Sequence, residues 1–130
     1  MDFAAMMPLA KTLGVVIDDA SAEAVTGRLL VRPEICTSGE IAHGGTIMAL
    51  ADCLGAIGAF LALPAGATMT TTIESKSNFL GAAPLGSMLI GEAKVVKAGK
   101  RLSVWQTRIV TDSGADVALV TQTQMVLWPA

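Results

Sequence analysis

The chain has 130 residues, enough for one domain with a buried core, and we expect a single domain over residues 1–130. Hydrophobic residues make up 52% and charged residues only 15%, against a usual charged share of about 25%, which favours a small domain that hides surface in an oligomer. The net charge of −2 argues against general nucleic-acid binding.

The first half of the chain is predicted to contain two helices and two extended segments. Residues 2–13 show a short helical pattern that Gly14 ends, and the opening MDFAAMMPLAK lacks the features of an export signal, which predicts a cytoplasmic protein. Residues 15–17 and 22–31 are predicted to be extended around a turn over 18–21, and residues 33–40 to form a loop. Residues 45–63 predict one long helix, apolar nearly all round and buried on most faces. Its strongly apolar part is too short to span a bilayer.

The second half of the chain is predicted to contain four strands. They cover residues 68–79, 87–97, 101–111 and 117–128, and their short connections predict that sequence neighbours pair antiparallel. Apolar and polar residues occur on both faces of the later strands, so the pattern does not orient them. A helix without a polar face needs cover on several sides, which predicts an α+β fold with an antiparallel sheet wrapped around the helix.

A histidine and two glycines stand where the long helix is predicted to begin. The first turn of a helix has unpaired N–H groups and the positive end of the helix dipole. Because Gly44 and Gly45 have no side chains, these groups stay open to a ligand oxygen. Such a helix start can hold a thioester or other carbonyl oxygen and stabilise the oxyanion that forms from it. The alternative is that His43 and the glycines make only a tight turn.

A single carboxylate, Asp52, interrupts the apolar helix. It lies seven residues after Gly45, about 10.5 Å along the helix axis, whereas a nucleophile or general base must lie within about 3 Å of its target. Asp52 therefore suits a carbonyl held by the helix of a second subunit better than one held by its own helix. The alternative is a structural carboxylate, hydrogen-bonded to threonine side chains or backbone.

These residues form a motif that resembles a known family. HGG at residues 43–45, followed by an acid at Asp52, resembles the HGG-x6-[DE] signature of hotdog-fold acyl-CoA thioesterases, in particular the PaaI-like branch of the 4-hydroxybenzoyl-CoA thioesterase superfamily. TTTIESKSNFLGAAPLG is similar to the strand and turn that follow the helix in that family, and KVVKAGKRLSVWQTRIV to its next hairpin. The resemblance covers about residues 25–128.

The resemblance implies an activity and an assembly. The expected reaction is hydrolysis of an acyl-CoA to a carboxylate and CoA, in which CoA is part of the substrate and no separate cofactor is needed. The expected assembly is a dimer, or a tetramer built from two dimers, in which two sheets join edge to edge and active sites lie between subunits. No nucleic acid or membrane partner is implied.

The resemblance also implies a role for each motif residue. The backbone N–H of Gly44 polarises the thioester carbonyl, and Gly45 lies against the substrate. Asp52 of the partner chain acts as nucleophile or as general base on water. His43 orients the loop before the helix, with a plain turn-stabilising role as the alternative. Thr72 corresponds to a serine or threonine early in the strand after the helix, where ordinary strand propensity is the alternative.

Three further features bear on the substrate. Thr37 stands where many relatives carry Asn or Gln, with a hydroxyl in place of an amide. A basic cluster around the turn at residues 98–99 predicts a clamp for CoA phosphates, or a solvated hairpin tip; it consists of Lys94, Lys97, Lys100 and Arg101. Apolar residues that could line an acyl pocket, or belong to the core, are Met48, Leu54, Phe60 and Met69.

Two other functions stay open at this point, and a metal site is not expected. A hotdog hydratase or dehydratase pairs a histidine and an acid at a different spacing. A non-catalytic acyl-CoA-binding module would be compatible with Thr37. Cys36 and Cys53 lack metal-ligand spacing, and His43 is the sole histidine, so the sequence predicts no metal site.

Overall fold

In the computed structural model, which describes residues 2–130, the chain begins with helical turns and two strands. These are a 3-10 turn (Ala4–Met6), α1 (Pro8–Leu13), β1 (Val16–Ala20) and β2 (Ala24–Leu30). The helical pattern predicted over residues 2–13 is therefore broken at Met7. Pro8 has no N–H to donate and begins a new helix in its first turn. Gly14 ends α1 in the left-handed conformation, with φ of 90°.

The first hairpin turns later than predicted. Residues 18–20 belong to β1, and the turn is held by the Ser21 hydroxyl, which accepts a hydrogen bond from the backbone N–H of Ala24 at 3.1 Å. A β-bulge between Ile17 and Asp19 takes up the irregularity within the strand. The prediction of a turn over residues 18–21 is wrong, because paired aspartates favour turns in general but here lie in a bulged strand.

The segment predicted as a loop over residues 33–40 contains regular structure. It holds a 3-10 turn (Pro33–Ile35) and the short strand β3 (Cys36–Thr37), which pairs with β4 (Ile41–Ala42). The tip of this hairpin uses the left-handed conformation twice, at Gly39 with φ of 84° and at Glu40 with φ of 57°. The hairpin leads directly into the long helix.

That helix, α2 (Gly44–Leu61), is the centre of the molecule. By length and composition it could cross a membrane, with a mean hydropathy of 1.6 over 18 residues, but 56% of it is buried inside the protein, as in a core helix. Leu50 and Leu54 are fully buried, whereas Gly45, Met48 and Asp52 are exposed along one side. We call this side, which continues to Phe60, the open stripe of α2.

Four long strands follow the helix. They are β5 (Met69–Phe79), β6 (Met88–Ala98), β7 (Leu102–Thr111) and β8 (Asp116–Leu127), and each bound lies within one residue of the predicted one. With β1 and β2 they form an antiparallel six-stranded sheet in the order β1-β2-β6-β7-β8-β5.

One predicted strand pairing is wrong. β5 and β6 follow each other in the chain but do not pair, since β5 pairs with β8 and β6 lies between β2 and β7. The connection between them bonds to the small hairpin instead: the Ala42 N–H donates to the Ala83 carbonyl at 2.9 Å, and the Leu85 N–H to the Glu40 carbonyl at 2.8 Å. β5 is consequently an edge strand, unpaired on one side within residues 2–130.

Glycines let the helix and the sheet approach closely. A Cβ at Gly58 of α2 would lie 2.5 Å from ring atoms of Trp105, which is fully buried on β7. On the sheet side, a Cβ at Gly27 or Gly91 would lie 2.8 or 2.6 Å from methyl carbons of Leu54. The predicted α+β architecture, an antiparallel sheet wrapped around a long central helix, is confirmed.

Candidate active site

His43 is the N-cap of α2. Its backbone is extended, with φ of −64° and ψ of 137°, and its Nδ1 accepts a hydrogen bond from the Gly45 N–H at 2.8 Å. Because Nδ1 accepts, the neutral ring carries its proton on Nε2. A side chain at position 45 would place a Cβ 3.0 Å from Nδ1, so glycine lets the imidazole fold over the helix end.

The two glycines differ in what their N–H groups contact. The Gly45 N–H is engaged by His43, and the N–H groups of Thr46 and Ile47 donate to the His43 carbonyl at 2.9 and 3.1 Å. The Gly44 N–H has no acceptor among residues 2–130. The exposed Phe79 ring at the end of β5 lies beside it, 3.4 Å from where a Gly44 Cβ would be. Gly44 therefore carries the first-turn donor that is open to a ligand.

Thr37 lies close to the helix start in the chain but is not attached to it. It is exposed on β3, opposite Ile41. The helix start is anchored instead to Ile35, whose carbonyl accepts from the His43 N–H at 3.0 Å and from the Thr46 hydroxyl at 3.1 Å. Within the described chain no hydrogen bond joins Thr37 to His43 or Asp52, and its part in a site stays a prediction.

Asp52 lies on the open stripe, half-way along α2. It is exposed, and its Oδ1 accepts a hydrogen bond from the Thr72 hydroxyl at 3.0 Å. The helix is continuous between Gly44 and Asp52, so the two residues are about 12 Å apart along the axis. One chain therefore brings Asp52 and Thr72 together but keeps the carboxylate away from the open N–H.

A residue that the sequence did not single out lies behind Thr72. Gln124 of β8 is 1% exposed, and its Nε2 donates to the Thr72 hydroxyl oxygen at 2.5 Å. Its Oε1 accepts from the Thr70 hydroxyl at 3.1 Å. The run TQTQ at residues 121–124 could have drawn attention to Gln124, because it places two amides on one face of a strand.

Two side chains that are neighbours in α2, Asp52 and Cys53, lie in different environments. Cys53, next to Asp52 in the chain, is 7% exposed on the covered side of α2. Burial raises the pKa of the Cys53 thiol from 9.0 to about 11, and the negative charge of Asp52 adds to this increase in pKa. Cys53 is therefore a neutral core residue, while Asp52 faces solvent.

An apolar cavity of about 170 Å³ opens one helical turn beyond Asp52. It lies between the N-terminal segment, the open stripe of α2 and the start of β5; its lining residues are Phe3, Met6, Met7, Ala56, Ile57, Phe60, Met69 and Thr70. Of the four apolar residues proposed from sequence, Phe60 and Met69 line it. Leu54 is buried in the core, and Met48 is exposed elsewhere on the stripe.

The predicted phosphate clamp lies at the tip of the β6–β7 hairpin. Lys97, Lys100 and Arg101 are exposed and form no ion pair within residues 2–130, whereas Lys94 pairs with Glu92 at 3.5 Å. Trp128 Nε1 donates to the Lys100 carbonyl at 3.0 Å and holds the tip against the end of β8. Three positive charges at one turn are thus available to an anion.

Comparison with known proteins decides the family. A model of the thioesterase superfamily matches residues 39–118, which include both the helix start and Asp52. This chain belongs to the thioesterase superfamily. It is 32% identical over 99 residues to 1,4-dihydroxy-2-naphthoyl-CoA thioesterase 2 of Arabidopsis thaliana, a match that covers 76% of this chain and 62% of the plant protein. The chain thus spans less than two thirds of that relative.

Solved structures share the fold of this thioesterase-superfamily chain. A mutant thioesterase of Pseudomonas aeruginosa matches with a TM-score of 0.89 at 20% identity, over 96% of this chain and 91% of that one. The PaaI protein of the E. coli phenylacetic acid degradation operon matches with a TM-score of 0.83 at 22% identity, over 92% of this chain and 84% of that one. A hypothetical thioesterase of Streptococcus pneumoniae with coenzyme A matches with a TM-score of 0.79 at 23% identity, over 87% of this chain and 88% of that one. The fold is the hotdog fold that the motif predicted.

Proposed function

We propose that this protein hydrolyses acyl-CoA thioesters to a carboxylate and free CoA. The observation that carries the proposal is one helix with both an open first-turn N–H at Gly44 and an exposed, hydrogen-bonded carboxylate at Asp52. Membership of the thioesterase superfamily supports thioester hydrolysis. The plant relative named for a naphthoyl-CoA and the neighbour with coenzyme A support a CoA thioester as substrate.

The proposed site is shared by two chains. Asp52 and Gly44 are too far apart on one helix to act on one carbonyl, and both lie where a second chain can reach them. The unpaired edge of β5 and the exposed apolar side chains of Met48, Ile73 and Phe79 support an interface there. Two copies joined along β5, with their α2 helices antiparallel, would turn Asp52 of one chain towards Gly44 of the other. A dimer is enough to form the proposed site, and a tetramer built from two such dimers would retain it.

The proposed chemistry uses few groups because a thioester is already electrophilic. The Gly44 N–H and the positive end of α2 stabilise the oxyanion that forms on the carbonyl oxygen. Asp52 either adds to the carbonyl carbon, so that the C–S bond breaks and water later hydrolyses the mixed anhydride, or it takes a proton from an attacking water. In both routes the CoA sulfur leaves as a thiolate and is protonated. Thr72 holds Oδ1 of Asp52 and leaves Oδ2 for the reaction.

His43, Gly45 and Thr37 are proposed to shape the loop side of the site. His43 fixes the entry into α2 through its bond to the Gly45 N–H. Its Nε2–H has no acceptor among residues 2–130 and can donate to a nearby substrate atom. Gly45 leaves the substrate close access to the helix end. The Thr37 hydroxyl would contact the water or the carbonyl with shorter reach than Asn or Gln.

The two ends of the substrate have proposed places as well. The cavity beyond Asp52 has about 170 Å³ and an almost wholly apolar lining. A cavity of about 150 Å³ is large enough to hold benzene, so a single aromatic ring or a short apolar chain fits. Lys97, Lys100 and Arg101 are proposed to bind the phosphates of CoA, for which their positive charges, unpaired within residues 2–130, are suited.

The test is hydrolysis of a panel of aryl-, short- and medium-chain acyl-CoAs, followed by detection of the released thiol. We expect Asp52→Asn to lower kcat by at least about 10²-fold, since it removes the nucleophile or base. Glu23→Gln, the same chemical change at an exposed hairpin turn, is the control and should match the wild type. Equal rates for Asp52→Asn and wild type would remove Asp52 from the mechanism. Acyl-CoA binding without turnover in the wild type would favour the non-catalytic binding module that Thr37 leaves open.

A further inference from the structure

Two glutamines of β8 are buried on the same face of the strand, and their surroundings differ. Gln122 is 0% and Gln124 is 1% exposed. The amide of Gln122 lies against Gly55 and has no hydrogen-bond partner within residues 2–130. The amide of Gln124 is bonded at both ends, to Thr70 and to Thr72. The two side chains share residue type, strand and face, and one of them alone is connected to Asp52.

The bonds of Gln124 form a chain with a fixed direction. An ionised Asp52 only accepts hydrogen bonds, so the Thr72 hydroxyl must give it the proton, at 3.0 Å. The Thr72 oxygen is then free to accept from Gln124 Nε2. This turns Gln124 Oε1 towards the Thr70 hydroxyl, whose single proton is within reach of both Oε1 and the Met125 carbonyl, at 3.1 Å each. With the amide reversed, Oε1 would take the Thr72 proton, and Asp52 would lose its sole donor among the described residues.

We propose that Gln124 is a positioning residue for the hydrolysis, acting through Thr72 on Asp52. Its amide fixes the Thr72 hydroxyl in the rotamer that donates to Oδ1, so the second carboxylate oxygen keeps one direction towards the thioester. At 1% exposure Gln124 itself touches no substrate. The inference rests on the proposed function, because it assigns Gln124 a part in the same reaction.

Loss of the Gln124 amide should affect turnover rather than substrate affinity. Without it, the Thr72 hydroxyl can rotate to another rotamer or to a backbone acceptor, and the carboxylate loses its fixed orientation. Small misplacements of a reacting group reduce rates by up to about 10²-fold. We therefore expect Gln124→Met to lower kcat by about 10-fold and to leave KM within about twofold, since Gln124 lies outside both the apolar cavity and the basic cluster.

The experiment compares Gln124→Met with Gln122→Met, the matched change two residues away. Methionine keeps the unbranched shape of glutamine, so both variants should fold, which thermal unfolding checks. We expect kcat to fall in Gln124→Met and to stay near wild type in Gln122→Met. In a Thr72→Val background, Gln124→Met should have no further effect on kcat, because the chain to Asp52 is already cut.

A second measurement follows the hydrogen bonds without turnover. The side-chain amide signals of Gln124 in an NMR spectrum should shift in Asp52→Asn, whereas those of Gln122 should not. Equal kcat losses in the two methionine variants, or additive effects with Thr72→Val, would overturn the positioning role while leaving the proposed hydrolysis intact. Absence of any acyl-CoA hydrolysis by the wild type would instead overturn the proposed function, and this inference with it.

Discussion

The start and the middle of α2 carry the two halves of the candidate chemistry, and they are built in different ways. At the start the contacts are local: His43 caps an N–H two residues away, and the Gly44 N–H is open because first-turn donors have no helical partner. In the middle, Asp52 is held by Thr72, 20 residues later, and Thr72 by Gln124, 52 residues later still. A backbone donor needs only a helix start, whereas an oriented carboxylate needs a sheet around it.

The role of the helix start can be tested by removing the Gly44 N–H and nothing else. Proline is tolerated at the first position of a helix, and the extended backbone of His43 suits a following proline. We expect Gly44→Pro to lower kcat by about 10²–10³-fold, as for loss of an oxyanion donor. Gly44→Ala adds the same Cβ beside Phe79 but keeps the N–H, and should retain most of the rate. Similar rates in the two variants would mean that this N–H does not bind the carbonyl.

Whether the two halves belong to different chains can be tested by mixing. A chain with Gly44→Pro still has an intact Asp52, and a chain with Asp52→Asn still has an intact Gly44. When the two inactive variants are co-expressed with different tags, random pairing should restore about one quarter of wild-type activity, since half of the dimers carry one intact site. If a purified mixed dimer were as inactive as either parent variant, then either Gly44 and Asp52 of the same chain would form the site, or one of the two residues would have no part in the reaction.

The local character of the helix start predicts a modest effect on stability. His43→Ala removes the cap on the Gly45 N–H, and such losses cost about 1 kcal/mol in the free energy of unfolding. His43→Asn restores an acceptor at the N-cap and should recover most of that stability. Urea unfolding of the three proteins measures it. A His43→Ala protein as stable as the wild type would show that the bond to Gly45 contributes nothing to folding.

The smallest expected effect concerns the covered side of the middle of α2. The Cys53 thiol, with its pKa raised to about 11 by burial and by Asp52, should react slowly with alkylating reagents near neutral pH. Because the folded state disfavours the thiolate, the contribution of Cys53 to stability is complete below pH 9 and is lost as the pH rises towards 11. Cys53→Ala should remove this part of the pH dependence. A Cys53 that is alkylated as fast as an unfolded cysteine would contradict the burial of this side of the helix.

Much of the fold could be predicted because its signals are periodic or local. The bounds of β5 to β8 follow from alternation and turn residues, and α2 follows from a long apolar run after His43 and two glycines. Caps, glycines and alternation act within a few residues, so one sequence records them. The motif that ends at Asp52 also indicated the superfamily before any fold was known.

Which segments of the chain meet could be seen only in the folded protein. β5 pairs with β8 and not with its neighbour β6, and the N-terminal segment closes a cavity beside Phe60. The polar residues that left the later strands unoriented include Gln122, which is buried against Gly55 of α2, and Gln124, which is buried behind Thr72 of β5. Their place depends on contacts between strands far apart in the chain, and no short-range pattern reports such contacts. The donor at the helix start therefore follows from local sequence, because it arises from backbone geometry. The orientation of the carboxylate depends on the fold, because it arises from side chains on separate strands.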